Sequence, residues 1–200
     1  MFGSDERKRL QREHRASGRL PPGQSLTLKW PVLHVGAVPK FDPGTWRFAV
    51  TGRVERPFEL SWEEFRSLPR VRVEADFHCV TTWSKFDNVW EGVSVRTLVE
   101  RARPEPEARF VIQHCEGGYT TNTPLEDLLR RNVLLADTHR PEPLTPEHGG
   151  PLRMIVPHLY AWKSGKWIRE LEFADSDRAG FWEERGYHMY GDPAHEQRFS

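Results

Sequence analysis

Cysteine is scarce: the 200 residues contain two, Cys79 and Cys115. That scarcity excludes a C-x-x-C-H haem attachment, a four-cysteine iron–sulfur centre and a four-cysteine zinc site. One possible bridge is no disulfide framework of a secreted domain either. Excess charge is missing too. Lys+Arg and Asp+Glu both number 29, a formal charge of zero, where a nucleic-acid or anionic-membrane binder needs a basic surplus. The longest purely aliphatic run is Val133-Leu134-Leu135-Ala136, too short for a membrane span. No apolar stretch follows the basic residues up to Arg19, so no export signal and a reducing, cytoplasmic setting are expected. Glycine spacing removes the common nucleotide motifs. No two of the 15 glycines are separated by a single residue, which excludes G-x-G-x-x-G. Gly165-Lys166 lacks the upstream P-loop glycine because position 160 is Tyr, and G-x-S-x-G and H-E-x-x-H are absent.

What is present is aromatic: 12% of residues, eight of them Trp, enough to build a core without metals or disulfides. Residues 1–25 are charged and poor in apolar side chains, and read as a flexible tail or a frayed helix; residues 26–200 read as one domain. Trp46, Phe48 and Val50 alternate with polar or small neighbours and predict a strand, as do Val71, Val73 and Ala75 running toward Cys79. Ser61-Trp62-Glu63-Glu64 has capping-box spacing ahead of a short helix, and Ser94 is expected to cap another. Phe110-Val111-Ile112 predicts a buried strand leading to His114-Cys115. Thr123-Pro124-Leu125-Glu126 reads as a second capping box. Residues 139–151 read as a Pro/Gly-rich loop, and 152–156 and 168–173 as strands. Short strands mixed irregularly with short helices predict an α+β fold.

Chemistry concentrates in a few stretches. Two His-Cys dipeptides, His78-Cys79 and His114-Cys115, suggest a zinc site as one reading. Neighbours on a strand point to opposite faces, however, which argues against both members of a pair ligating one metal. Cys79 leaves a strand for the polar, aromatic-ringed segment Val80-Thr81-Thr82-Trp83-Ser84, where a thiolate suits nucleophilic chemistry or a soft metal. Tyr160-Ala161-Trp162-Lys163-Ser164-Gly165-Lys166 follows a strand and crowds lysines around a Ser-Gly turn, as in a phosphate-binding nest.

Together with Gly117-Gly118-Tyr119-Thr120-Thr121-Asn122 and His148-Gly149-Gly150-Pro151-Leu152-Arg153, these motifs resemble the sulfite oxidase superfamily, in particular its small cytoplasmic members and the molybdenum subunit of methionine sulfoxide reductase. The resemblance implies a sulfite oxidase-type molybdopterin-binding fold with mixed sheets, molybdenum–molybdopterin as cofactor, and Cys79 as metal ligand and catalytic residue. It implies cofactor contacts at Leu33, His34, His78, Cys115, His148, Arg153, Ser164, Gly165 and Lys166. The activity implied is two-electron oxygen-atom transfer to or from a small sulfur- or nitrogen-containing substrate. His78 and Phe77 stand where sulfite oxidases carry an arginine before the cysteine, which speaks against sulfite. With no haem, flavin motif or iron–sulfur ligands of its own, the chain is expected to exchange electrons with a separate partner. Two alternatives stand beside this reading: a non-catalytic pterin- or molybdate-binding protein, and a zinc-stabilised domain using the two His-Cys pairs.

Overall fold

The computed structural model describes residues 2–200. Eleven strands form two sheets. One sheet is built on a long strand, β5 (Trp83–Ser94), which pairs antiparallel with β4 (Arg70–His78) along one edge. Along its other edge lie a short parallel partner, β1 (Ser25–Leu26), and β8 (Leu134–His139). Beyond β8 come β9 (Glu142–Pro143) and β10 (Arg153–Ile155). The second sheet runs β3 (Phe58–Ser61), β2 (Arg47–Gly52), β11 (Ile168–Ala174), β6 (Phe110–Cys115), β7 (Thr120–Pro124), with β2 and β11 parallel. The expected α+β mixture is what the chain forms.

The main core joins the two sheets: Trp46, just before β2, and Phe48 and Val50 from β2 meet Val93 from β5, Leu135 from β8 and Leu171 from β11. A separate cluster covers β4, β5, β8 and β10 with Val73, Phe77, Trp90, Leu134 and Ile155, and Trp30 packs onto it. The alternation read in the sequence is therefore half of a real interface, apolar side chains inward at every second residue. Helix α2 (Trp62–Ser67) starts at the expected capping box: Ser61 accepts from the Glu64 amide, and the Glu64 carboxylate accepts from the Ser61 amide. Helix α3 (Val95–Ala102) begins after Ser94, but the Ser94 side chain makes no cap hydrogen bond.

Two expectations are corrected, and one of two open readings of the N-terminal segment is decided. Thr123 does not open a helix. It pairs with Val111 inside β7, and the single helical turn α4 (Leu125–Leu128) follows Pro124 without a side-chain cap; the sheet ladder takes the residues that the local spacing assigned to a cap. The 139–151 loop contains β9 and a 3-10 turn at Pro146–His148. The N-terminal tail is an α-helix, α1 (Phe2–Ala16), Met1 lying outside the described residues. Leu10 of α1 packs on Leu20, Leu26 and Phe86, and His14 meets the Phe86 ring edge-on at 4.5 Å.

Candidate active site

A cavity of about 340 Å³ opens where β4 ends. The turn Cys79–Thr82 closes it on one side: the Thr82 amide donates to Cys79 O at 3.1 Å, and Thr82 takes a left-handed φ of 71°. That conformation is uncommon for a β-branched residue and persists only where neighbours enforce it. They do so here. Gln24 Nε2 donates to Cys79 O, the Ser25 amide to Thr82 O, and the Cys79 amide to Trp83 O. Cys79 is a free thiol in the cavity wall, its Sγ 3.1 Å from Thr81 Oγ1, and burial pushes its pKa up.

The facing wall is the turn after β10. Ser164, Gly165 and Lys166 line the cavity together with Arg153. Arg153 is fully buried and donates to His148 O at 2.8 Å and Ser164 O at 3.0 Å. Ser164 Oγ accepts from the Val156 amide, and the Gly165 amide donates to Gln113 Oε1. A Cβ on Gly165 would lie 2.7 Å from Cys115 Sγ and 2.9 Å from Gln113 Oε1, so this turn packs only as glycine. Lys166 Nζ donates to Leu33 O and Glu147 O, both at 2.6 Å. Among the described residues neither Arg153 nor Lys166 has a carboxylate within ion-pair distance. Desolvation accordingly pulls Arg153 down to about 9 and Lys166 down to about 7. A buried arginine held by carbonyls and aromatic rings, beside a partly buried lysine held by carbonyls, at one wall of a cavity, suits an anion.

Of the residues read from sequence, Leu33, His34, Cys79, Arg153, Ser164, Gly165 and Lys166 converge on the cavity. Three do not reach it. His78 follows strand alternation to the other side of β4, where Nδ1 lies 2.8 Å from Ser84 Oγ and burial pulls the imidazole down to about 4. Cys115 sits beneath Gly165, its thiol pushed up by burial. His148 contributes its backbone carbonyl to Arg153, while its ring stacks on Trp30 at 3.9 Å. His114 faces away, 2.8 Å from Glu172, and no group of three or more His, Cys, Asp or Glu among the described residues is arranged to hold a metal. The two His-Cys pairs therefore make no zinc site.

Sequence reasoning missed the aromatic walls. Trp30, Trp83, Trp162, Trp167 and Trp182 line the cavity with Tyr119 and Tyr187. Their signal was the tryptophan count, which gives no position. Trp83 keeps its indole N–H buried without a hydrogen-bond partner among the described residues. The free thiol, the buried Arg153 without a carboxylate partner and the nearby Lys166 fit a phosphate-bearing pterin with a soft metal. Beside the cavity Lys163 and Glu183 form an ion pair, both fully buried, at 2.5 Å. It ties the segment carrying Trp182 and Tyr187 to the Trp162–Lys163 turn.

The comparisons agree with this geometry. Residues 35–182 match the family described as the oxidoreductase molybdopterin binding domain. The uncharacterized oxidoreductase YuiH of Bacillus subtilis is 50% identical over 190 residues, covering 94% of this chain and 96% of that protein. The catalytic subunit MsrP of Campylobacter jejuni, a protein-methionine-sulfoxide reductase, is 28% identical over 174 residues, 78% of this chain and 58% of MsrP. This chain thus spans nearly all of the first relative and little over half of the second. The sulfane dehydrogenase SoxCD from Paracoccus pantotrophus shares the fold, with a TM-score of 0.64 at 22% identity over 70% of this chain and 40% of its own. With the family match covering most of the chain and a half-identical relative along nearly its full length, the chain belongs to the sulfite oxidase-like oxidoreductases that bind molybdenum–molybdopterin.

Proposed function

We propose that this protein transfers an oxygen atom to or from a small sulfur- or nitrogen-containing substrate, with Cys79 as the protein's ligand to molybdenum. The observation that supports the reading is the pairing, in one cavity, of a free thiol with a buried arginine and a partly buried lysine that have no carboxylate within ion-pair distance among the described residues. When bound, the cofactor supplies two-electron chemistry at a metal with positions open for oxygen.

The chain's own residues hold, orient and exclude. Arg153, at the start of β10, and Lys166, after the Ser164-Gly165 turn, bind the pterin phosphate, Arg153 from a fixed carbonyl cradle that leaves its charge unspent. Leu33 and His34 flank the mouth, Leu33 half-exposed and tethered through its carbonyl to Lys166. Trp83, Trp162, Trp182 and Tyr187 exclude water from the space beside Cys79, and in such a dry site each polar contact is stronger. The Campylobacter relative's name directs the first substrate test to methionine sulfoxide. Reducing a sulfoxide consumes two electrons and two protons and yields a sulfide and water. The electrons come from a separate partner protein. Two free, buried cysteines support a reducing, cytoplasmic setting, and no helix among the described residues is long and apolar enough to cross a membrane. Residues 26–200 act as the cofactor-binding domain, with α1 as an accessory helix.

The test is molybdenum content by inductively coupled plasma mass spectrometry, together with viologen-driven methionine sulfoxide reduction, on protein from a host that makes molybdopterin. About one molybdenum per chain is expected, with metal and turnover lost in Cys79→Ser while the circular dichroism stays unchanged. A Cys79→Ser protein with full metal and full activity would overturn the assignment. Metal retained by the wild type with no turnover on sulfoxides, N-oxides or nitrate would make the chain a binding protein.

A further inference from the structure

The Cys79 turn is held from a direction that the site residues do not explain. Arg198 Nη1 donates to Val80 O at 2.6 Å, while Nη2 lies 3.5 Å from Pro22 O. One face of its guanidinium covers the Tyr160 ring at 5.0 Å to the centroid. Its side chain is 13% exposed, and its one acidic neighbour, Glu196, lies 3.7 Å away and is half-exposed. The niche is built for this side chain. Gly23 has a φ of 64°, which favours glycine, and a Cβ there would lie 2.2 Å from Glu196 Oε1 and 2.9 Å from Arg198 Nη2, so a larger residue would have to displace these two side-chain ends. The Arg198 backbone is fixed as well: its carbonyl accepts from the His188 amide, and the turn before it is closed by the Gln197 amide on Asp192 O.

We infer that Arg198 is a positioning residue, clamping the Cys79–Thr82 turn to residues 22–25 so that the Cys79 thiol keeps one direction into the cavity. The inference rests on the proposal that Cys79 ligates the metal. The physical case is the left-handed Thr82. A turn strained at its last residue relaxes unless its carbonyls are held. Cys79 O and Thr82 O are held by Gln24 and Ser25, and the outermost carbonyl, Val80 O, is held by Arg198. Arginine suits the task because its planar fork spans two carbonyls at once, which a lysine ammonium cannot do in the same geometry.

The experiment has two arms. Hydrogen exchange on the full chain from a molybdopterin-deficient host compares wild type with Arg198→Lys, Arg198→Gln and Arg198→Ala. Exchange should rise at least tenfold at residues 80–84 in the Gln and Ala variants and stay unchanged in β2, β6 and β11, with Lys in between. In the loaded enzyme, Arg198→Gln should broaden or shift the Mo(V) electron paramagnetic resonance signal and lower kcat at least fivefold with KM within twofold. Unchanged exchange at 80–84 in both Gln and Ala variants would overturn the clamp, as would an unaltered resonance signal with wild-type kcat. Exchange rising across every strand would reduce Arg198 to a general fold contact and overturn it equally. A wild-type chain without molybdenum would sink the Cys79 assignment instead, which the exchange arm does not depend on.

Discussion

Two buried cations, ten residues apart and on facing sides of one turn, have opposite surroundings. Lys163 is saturated: Glu183 at 2.5 Å, the backbone and side-chain oxygens of Asn122 at 3.0 and 2.7 Å, and Met189 O at 2.5 Å. Arg153 is equally buried and meets carbonyl dipoles without an anion. A charge removed from water costs several kcal/mol, and a protein balances it with an opposite charge or leaves it for a ligand to balance. Lys163 is thus a structural device that pins the 181–200 segment, whereas Arg153, on the proposed function, is left for the cofactor's phosphate to balance.

The sharpest way to break this contrast is to remove each partner. Glu183→Gln strands Lys163 in the core and should cost about 3–5 kcal/mol, lowering the thermal midpoint of the apo chain by roughly 10 °C in differential scanning calorimetry. Arg153→Met should cost the apo chain far less, about 1 kcal/mol or a slight gain, because it deletes a charge that had no partner. The same variant should lower molybdenum retained through purification at least tenfold. Equal calorimetric losses in the two variants would erase the distinction.

The smallest effect concerns Lys166. Its folded pKa of about 7 lies below the ordinary lysine value of 10.5, so the apo fold favours the neutral amine. Between pH 7 and 10.5 the unfolded chain holds a proton that the folded chain has released, so this group's contribution to stability rises with pH across that window. An anion at the site favours the charged form and reverses the trend. Pyrophosphate should raise the thermal midpoint of the apo chain by a few degrees at pH 6 and by markedly less at pH 8.5. A shift independent of pH would remove Lys166 from the anion site.

How far the sequence could be read follows the range of each interaction. The Ser61–Glu64 capping box is complete within four residues, and the structure repeats it. Cys79 at a strand end and the Ser164-Gly165-Lys166 turn were legible because each motif is contiguous. The Thr123 spacing failed because β6 lies beside it and its ladder outcompetes a local cap. His78 was named beside Cys79 and His148 for its place in the loop-to-strand motif, yet strand alternation turns one away and the other meets Arg153 through its backbone. Glu183 and Arg198 were invisible: each meets partners 20 to 176 residues away, and nothing in its own neighbourhood marks it.

The aromatic walls have an optical consequence. Five of the eight tryptophans border the cavity, while Trp46 and Trp62 lie against Phe48 and Phe65, Trp46 within the main core and Trp62 packed against it. Most of the chain's indoles therefore lie beside the place where a conjugated, absorbing pterin would sit. Filling the cavity should dim their emission, a gauge of occupancy readable in a cuvette without a label.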